Sequence, residues 1–215
     1  LEECDDEVAD QITEFDLTSK NDEITAGNTL WDVVYYETEQ DALGNTNAIE
    51  NPEAYANTSV GGNPFNPQTL FVAITNELGC IAYTTLTIKV LPNPTPNTDP
   101  VDLELCDYDN PGDQVEVFDI TLNEAYIIDG EPGVSITYYE SLNNAITETD
   151  VIVDPTNYTN TIPGQQTIYA RVTNDAGCYT MVDFDVIVNV VPNIAAVGDI
   201  IACEVNTDNF YEFDL

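Results

Sequence analysis

The two halves of this chain are copies of one another. ITEFDLT at residues 12–18 aligns with VEVFDIT at 115–121, and WDVVYYET at 31–38 with VSITYYES at 134–141, both at an offset of 103 residues. NPEAYANT (51–58) aligns with DPTNYTNT (154–161), and QTLFVAITNELGC (68–80) with QTIYARVTNDAGC (166–178). After Cys203 the order begins a third time, with FYEFDL at 210–215 echoing the first segment, and LEEC at the start matches LELC at 103–106. The chain is therefore expected to be two full units and the opening of a third, a window on a longer array.

Within each unit the apolar period is two, the mark of a half-buried strand. Thr84, Leu86, Ile88 and Val90 alternate with Thr85, Thr87 and Lys89; in the second unit Val182, Phe184, Val186 and Val188 alternate with Asp183, Asp185 and Ile187. The same alternation puts Leu70, Val72 and Ile74, and Ile168, Ala170 and Val172, on the core side of the preceding strand. Trp31, Val33 and Tyr35 correspond to Val134, Ile136 and Tyr138 on an earlier strand. TEQDALGN (38–45) and SLNNAI (141–146) suit helical turns.

Units of about 100 residues with roughly seven short strands between Gly, Pro and Asn turns predict an all-β fold, with tandem immunoglobulin-like antiparallel β-sandwiches. A Greek-key barrel is the runner-up. Repeat 1 is expected over 1–91, a linker over 92–100, repeat 2 over 101–191, a second linker over 192–198, and the first strand of repeat 3 over 199–215. The first linker, PNPTPNTDP, holds four prolines in nine residues and so should be semi-rigid. VPNIAAVGD at 191–199 holds one and should bend more easily.

Charge narrows the function. Forty acidic residues face three basic ones, Lys20, Lys89 and Arg171, for a net charge of −37. Such a surface repels nucleic acid and anionic lipid. With 43% hydrophobic residues the chain still has material for a core, and no apolar run is long enough to cross a membrane as a helix. Histidine is absent, which excludes a His-based triad or an imidazole metal site. Carboxylates are plentiful, but no pair stands in a context that marks a glycosidase, so no enzyme is expected.

Each full unit carries a cysteine at its start and another about 75 residues later. Pairing within units gives Cys4–Cys80 and Cys106–Cys178, with Cys203 bonding to a partner beyond this sequence; pairing between neighbours gives Cys80–Cys106 and Cys178–Cys203. Strand polarity favours the first. The last strand must run from the entrance pole to the exit pole, so Cys80 starts it beside Cys4, and the chain then travels about 36 Å to Leu91 at roughly 3.3 Å per residue. Disulfide Cα atoms must lie within about 7 Å. Buried free thiols are the remaining option. Regular pairing points to an oxidising, extracellular compartment.

The ordered set Cys, acidic turn, FDLT, TYYE, QTIYARVTN, AGC and VIVNVVP resembles the tandem repeats of giant SprB-like gliding-motility and surface adhesins of Bacteroidota, substrates of the type IX secretion system. The resemblance implies a structural or adhesive stalk segment at the cell surface, repeated for reach. Its partners would be neighbouring repeats, with surface polysaccharide or other filament subunits beyond them, and no direct membrane insertion. A glycan- or protein-binding module and a self-assembling filament subunit are the alternatives.

One metal is a candidate. In CDYDNPGD (106–113), Asp107, Asp109 and Asp113 offer calcium the oxygens it prefers, with Asp119 more distant, and Asp5, Asp6 and Asp10 form the weaker counterpart. The competing expectation is a solvated acidic turn. Tyr35–Tyr36 and Tyr138–Tyr139 should place one ring on each sheet face, with cross-strand packing as their main role. The sequons at Asn57 and Asn157 occupy non-equivalent repeat positions and carry no weight.

Overall fold

The computed structural model describes residues 1–6, 8–57, 59–60, 63–192 and 194. Cys203, the strand expected over 199–215 and most of the 192–198 linker lie outside them. Repeat 1 comprises β1 (Glu2–Cys4), β2 (Glu14–Phe15), α1 (Asn21–Thr25), β3 (Asp32–Tyr36), α2 (Glu39–Gly44), β4 (Tyr55–Ala56), β5 (Ser59–Val60), β6 (Asn63–Pro64), β7 (Gln68–Thr75) and β8 (Ile81–Leu91). Repeat 2 comprises β9 (Leu103–Cys106), β10 (Val117–Phe118), α3 (Glu124–Ile128), β11 (Val134–Tyr139), α4 (Leu142–Thr147), β12 (Tyr158–Thr159), β13 (Gln165–Asn174) and β14 (Tyr179–Asn189).

Each repeat has one large sheet, in the order β1-β8-β7-β3 and β9-β14-β13-β11, faced by a short antiparallel pair, β2-β4 and β10-β12. The first strand joins the last one in parallel, Cys4 opposite Leu91 and Cys106 opposite Asn189. The other strands of the large sheet are antiparallel. A first strand parallel to the last, beside a hairpin and across from an antiparallel pair, is an immunoglobulin-like arrangement, and the all-β tandem reading holds. The facing layer is thinner than a sheet of three or four strands, because a 3-10 turn and one helical turn replace part of it in each copy.

The repeated motifs explain these elements. In FDLT and FDIT the aromatic residue (Phe15, Phe118) and the next apolar one (Leu17, Ile120) are buried, while the aspartate between them caps the 3-10 turn. Asp16 accepts from Thr18 N at 3.0 Å and Asp119 from Thr121 N at 3.1 Å, satisfying a first-turn amide. Thr38 and Ser141, which follow the Tyr-Tyr pairs, cap α2 and α4 through the amides of Asp41 and Asn144. In TNELGC and TNDAGC, Asn76 and Asn174 each accept two turn amides, and Gly79 and Gly177 take φ of +80° and +88°, where a side chain would be strained.

Equivalent residues build the two cores: Phe15, Leu17, Tyr35, Leu70, Val72, Ile88 and Val90 in repeat 1, and Phe118, Ile120, Tyr138, Ile168, Ala170, Val186 and Val188 in repeat 2. Two expectations of repeat 1 fail. Trp31 precedes β3 and is 39% exposed, and Thr84 on β8 is exposed although Val182, its equivalent, is buried. The entrance end of β8 lacks the cover that the linker gives β14.

Candidate functional site at the joint between repeats

The structure joins Cys4 to Cys178, with Cα atoms 5.5 Å apart across 174 residues of sequence. The expected Cys4–Cys80 and Cys106–Cys178 bonds are not formed; Cys80 and Cys106 are exposed free thiols. The cause lies in the parallel pairing of β1 with β8. The first strand runs alongside the last, so Cys4 reaches the exit pole opposite Leu91 rather than staying at the entrance. Cys80, before β8, is then a strand length of about 36 Å away, while Cys178, before β14, stands at the entrance pole of the next repeat. The bridge is therefore between neighbours, in a register skipped by both pairings considered from sequence.

The linker is held from both sides. Asn93 Nδ2 donates to the carbonyls of Asp5 (2.9 Å) and Asp6 (3.1 Å) in repeat 1. Across the joint Asn174 Nδ2 donates to Pro92 O at 2.9 Å, and Thr180 Oγ1 to Pro94 O at 2.7 Å. Asn97 adds bonds to the carbonyls of Tyr126 and Ile127 at the end of α3. Beside Cys178, Arg171 is 6% exposed, lies 3.5 Å above the Tyr179 ring, pairs with Glu148 at 2.6 Å and donates to Ala145 O at the end of α4. Its counterpart in repeat 1 is Ala73.

The acidic loops behave differently from expectation. Among the described residues Asp107, Asp109 and Asp113 do not gather into a cluster. Asp107 is buried with Oδ2 accepting Gly112 N at 2.6 Å, Asp109 is exposed, and Asp113 is spent on Val115 N and Asn110 Nδ2. Glu116 draws the loop inward by accepting the amides of Tyr108 (2.6 Å) and Asp109 (3.0 Å). Repeat 1 has Thr13 at that position and a loop one residue shorter, and there Asp5, Asp6 and Asp10 do converge, one oxygen of each within 4.8 Å of the others.

Neither tyrosine of a pair is free for a ligand. Tyr36 and Tyr139, on the outer face, are as buried as Tyr35 and Tyr138; Tyr36 packs with Ala42 of α2 and Ala73, a third layer over the sheet. Burial, with Asp16 nearby, pushes the Tyr35 hydroxyl up to about 12, and burial does the same at Tyr158. Asn57 is 1% exposed: its amide accepts from Thr13 N and donates to Gln11 O and Phe65 O. Asn160 makes the equivalent three bonds to Glu116 N, Gln114 O and Ile162 O. The sequence alignment places these asparagines opposite each other, a signal that pointed to a structural clasp.

The fold and the joint define a class, a tandem immunoglobulin-like repeat whose members are cross-linked to their neighbours. Residues 1–96 and 102–192 match the Flavobacterium inter-domain disulphide bond domain, and the chain belongs to that family. No curated protein matches it. Solved structures with some similarity include an E-to-A variant of titin domains I67–I69 (8% identity, 75% of this chain and 56% of that one, TM-score 0.25). Others are the human desmocollin-1 ectodomain (16%, 82% and 37%, 0.23) and Drosophila N-cadherin EC1–4 (13%, 76% and 42%, 0.26). This chain spans 37% to 56% of the lengths of these three.

Proposed function

We propose that the chain is a non-catalytic stalk segment of an extracellular surface filament, of the gliding-adhesin kind that its motifs resemble, in which every repeat is cross-linked to the next. The observation that carries this is the Cys4–Cys178 bond together with its two free counterparts. Cys106 stands in repeat 2 where Cys4 stands in repeat 1, and Cys80 stands in repeat 1 where Cys178 stands in repeat 2. A following repeat would take Cys106, and a preceding one Cys80. The exposed end of β8 supports the same reading: Leu78, Ile81 and Tyr83 are open, while Tyr179 and Met181, the equivalents of the last two, are partly covered.

Each bond formed removes two electrons and two protons from a thiol pair, which a disulfide donor in an oxidising compartment accepts. The acidic surface keeps neighbouring filaments apart, and three basic residues leave few tryptic sites. The test is a chain lengthened by a second copy of residues 101–191, oxidised and mapped by non-reducing peptide analysis. The reading expects Cys106 bonded to the new hairpin cysteine. Cys106 left free, or bonded to Cys80, overturns it.

A further inference from the structure

We infer that Asp5, Asp6 and Asp10 form a calcium site at the joint between the repeats. The observations that carry this are independent of the stalk reading. One carboxylate oxygen from each residue lies within 4.8 Å of the others, a span that oxygens about 2.4 Å from a single calcium ion can cover. Asp5 is 92% buried, and among the described residues its Oδ1 has no hydrogen-bond partner although Oδ2 accepts Gln11 N at 3.0 Å; Asp107 Oδ1 is orphaned as well, but only Asp5 has two further carboxylates gathered beside it. A buried, orphaned carboxylate oxygen is costly unless a cation or donor meets it.

No side chain supplies that cation. The three basic residues of the whole sequence are engaged elsewhere, Lys20 with Glu23, Lys89 with Glu2, and Arg171 with Glu148. The carboxylates are also held in place: Asp6 accepts Val8 N at 2.7 Å and Asp10 accepts Ile12 N at 2.9 Å. Such a preset cluster of hard oxygens suits a hard cation, with water completing the shell.

Position gives the site a consequence. It adjoins Cys4 and borders a crevice of about 1090 Å³ between the repeats, lined by Asp5, Asp6, Asn93, Tyr179 and Thr180 among others. Asn93 of the linker already grips the carbonyls of Asp5 and Asp6. An ion that fixes this loop therefore fixes the linker leaving repeat 1.

Calorimetric titration of the oxidised 215-residue chain with calcium chloride, at constant ionic strength, tests the site. With three protein carboxylates, saturable binding is expected with a midpoint of about 0.1–1 mM, together with a rise in melting temperature. Asp6→Asn with Asp10→Asn, both at exposed positions, should abolish the heat while the calcium-free melting temperature holds. Asp10→Asn alone, a milder change, should weaken binding at least tenfold. Asp109→Asn with Asp113→Asn should leave it unchanged. The absence of saturable heat up to about 10 mM calcium, or undiminished heat in the Asp6/Asp10 variants, overturns the assignment.

Discussion

Replacing Cys4 with serine opens the bridge without disturbing a core position, because Cys4 is only partly buried whereas Cys178 is fully so. The magnitude follows from the loop that the bond closes. Taken across the whole chain that loop is 174 residues, but the repeats need not unfold together. When repeat 1 stays folded, β1 pins Cys4 against Leu91, so unfolding repeat 2 releases a loop of about 87 residues, from Leu91 to Cys178, for which chain entropy gives about 4.6 kcal/mol. When repeat 2 stays folded, Asn174 and Thr180 hold Cys178 near Pro92 and Pro94, so the loop opened in repeat 1 is of similar length. The bond therefore stabilises both repeats about equally, which an intra-repeat bond would not do. Discounted to the usual 2–4 kcal/mol, at about 4–8 °C per kcal/mol for domains of this size, Cys4→Ser should lower both melting transitions by roughly 10–25 °C. Calorimetry of the oxidised protein and the variant reads this, and reductant should bring the wild type to the variant's trace. A loss confined to repeat 1, or a wild-type bond mapped to Cys4–Cys80, refutes the reasoning.

Two further perturbations probe the repeats themselves. Asn160→Ala removes a buried amide that serves Glu116 N, Gln114 O and Ile162 O, leaving those groups unpaired; a loss of about 2–4 kcal/mol in repeat 2 is expected from urea unfolding, with Asn57→Ala producing a matching loss in repeat 1. Tyr35 and Tyr158 carry hydroxyls raised to about 12, and Tyr138 is raised too by burial and by Glu124. A raised folded pKa means full stability below the unfolded value near 10 and progressive loss as pH climbs through about 12. Tyrosinate absorbance at high pH should therefore appear together with unfolding; ionisation of all the tyrosines near pH 10 in a folded protein would contradict the burial.

Much of the fold was legible because it was written twice. Period-two segments placed β7, β8, β13 and β14, and the alignment paired the FDLT and TNELGC motifs with their copies, although the caps at Asp16 and Asp119 and the asparagine turns at Asn76 and Asn174 emerged only in the structure. The joint was not legible, and the reason is a single topological fact. Reasoning from strand polarity put Cys80 and Cys178 correctly at the start of the last strand, but took the opening cysteine to lie at the entrance pole. Parallel pairing of β1 with β8 carries it across the sheet, and a strand of three residues, Glu2–Cys4, carries no periodicity that would announce its partner. The acidic loop misled in the opposite direction. CDYDNPGD has the richer appearance of a metal turn, yet Glu116, eight residues beyond Tyr108 and seven beyond Asp109, claims the amides of both, and the plainer CDDEVAD brings its aspartates together.

The register of the bridge also decides how the chain carries tension. Pulled from its two ends, an uncrosslinked chain passes force through both sandwiches in series, and each that unfolds releases about 90 residues, on the order of 300 Å at roughly 3.5 Å per residue. With Cys4 bonded to Cys178, force entering at Leu1 crosses the disulfide directly, and residues 5–177 lie inside the closed loop. Unfolding either core then adds almost no length. In an array with the same register, the stretch from one repeat's hairpin cysteine to the next opening cysteine, its last strand and the linker, about 25 residues as between Cys178 and Cys203, becomes the longest span that tension can draw out. Such a stalk would keep its reach under drag even with a core transiently open. Single-molecule pulling should show two unfolding steps of roughly 250–300 Å in reductant and none of that size after oxidation. Two full-length steps in the oxidised protein would place both cores back in the force path and remove the mechanical reason for a bond between neighbours.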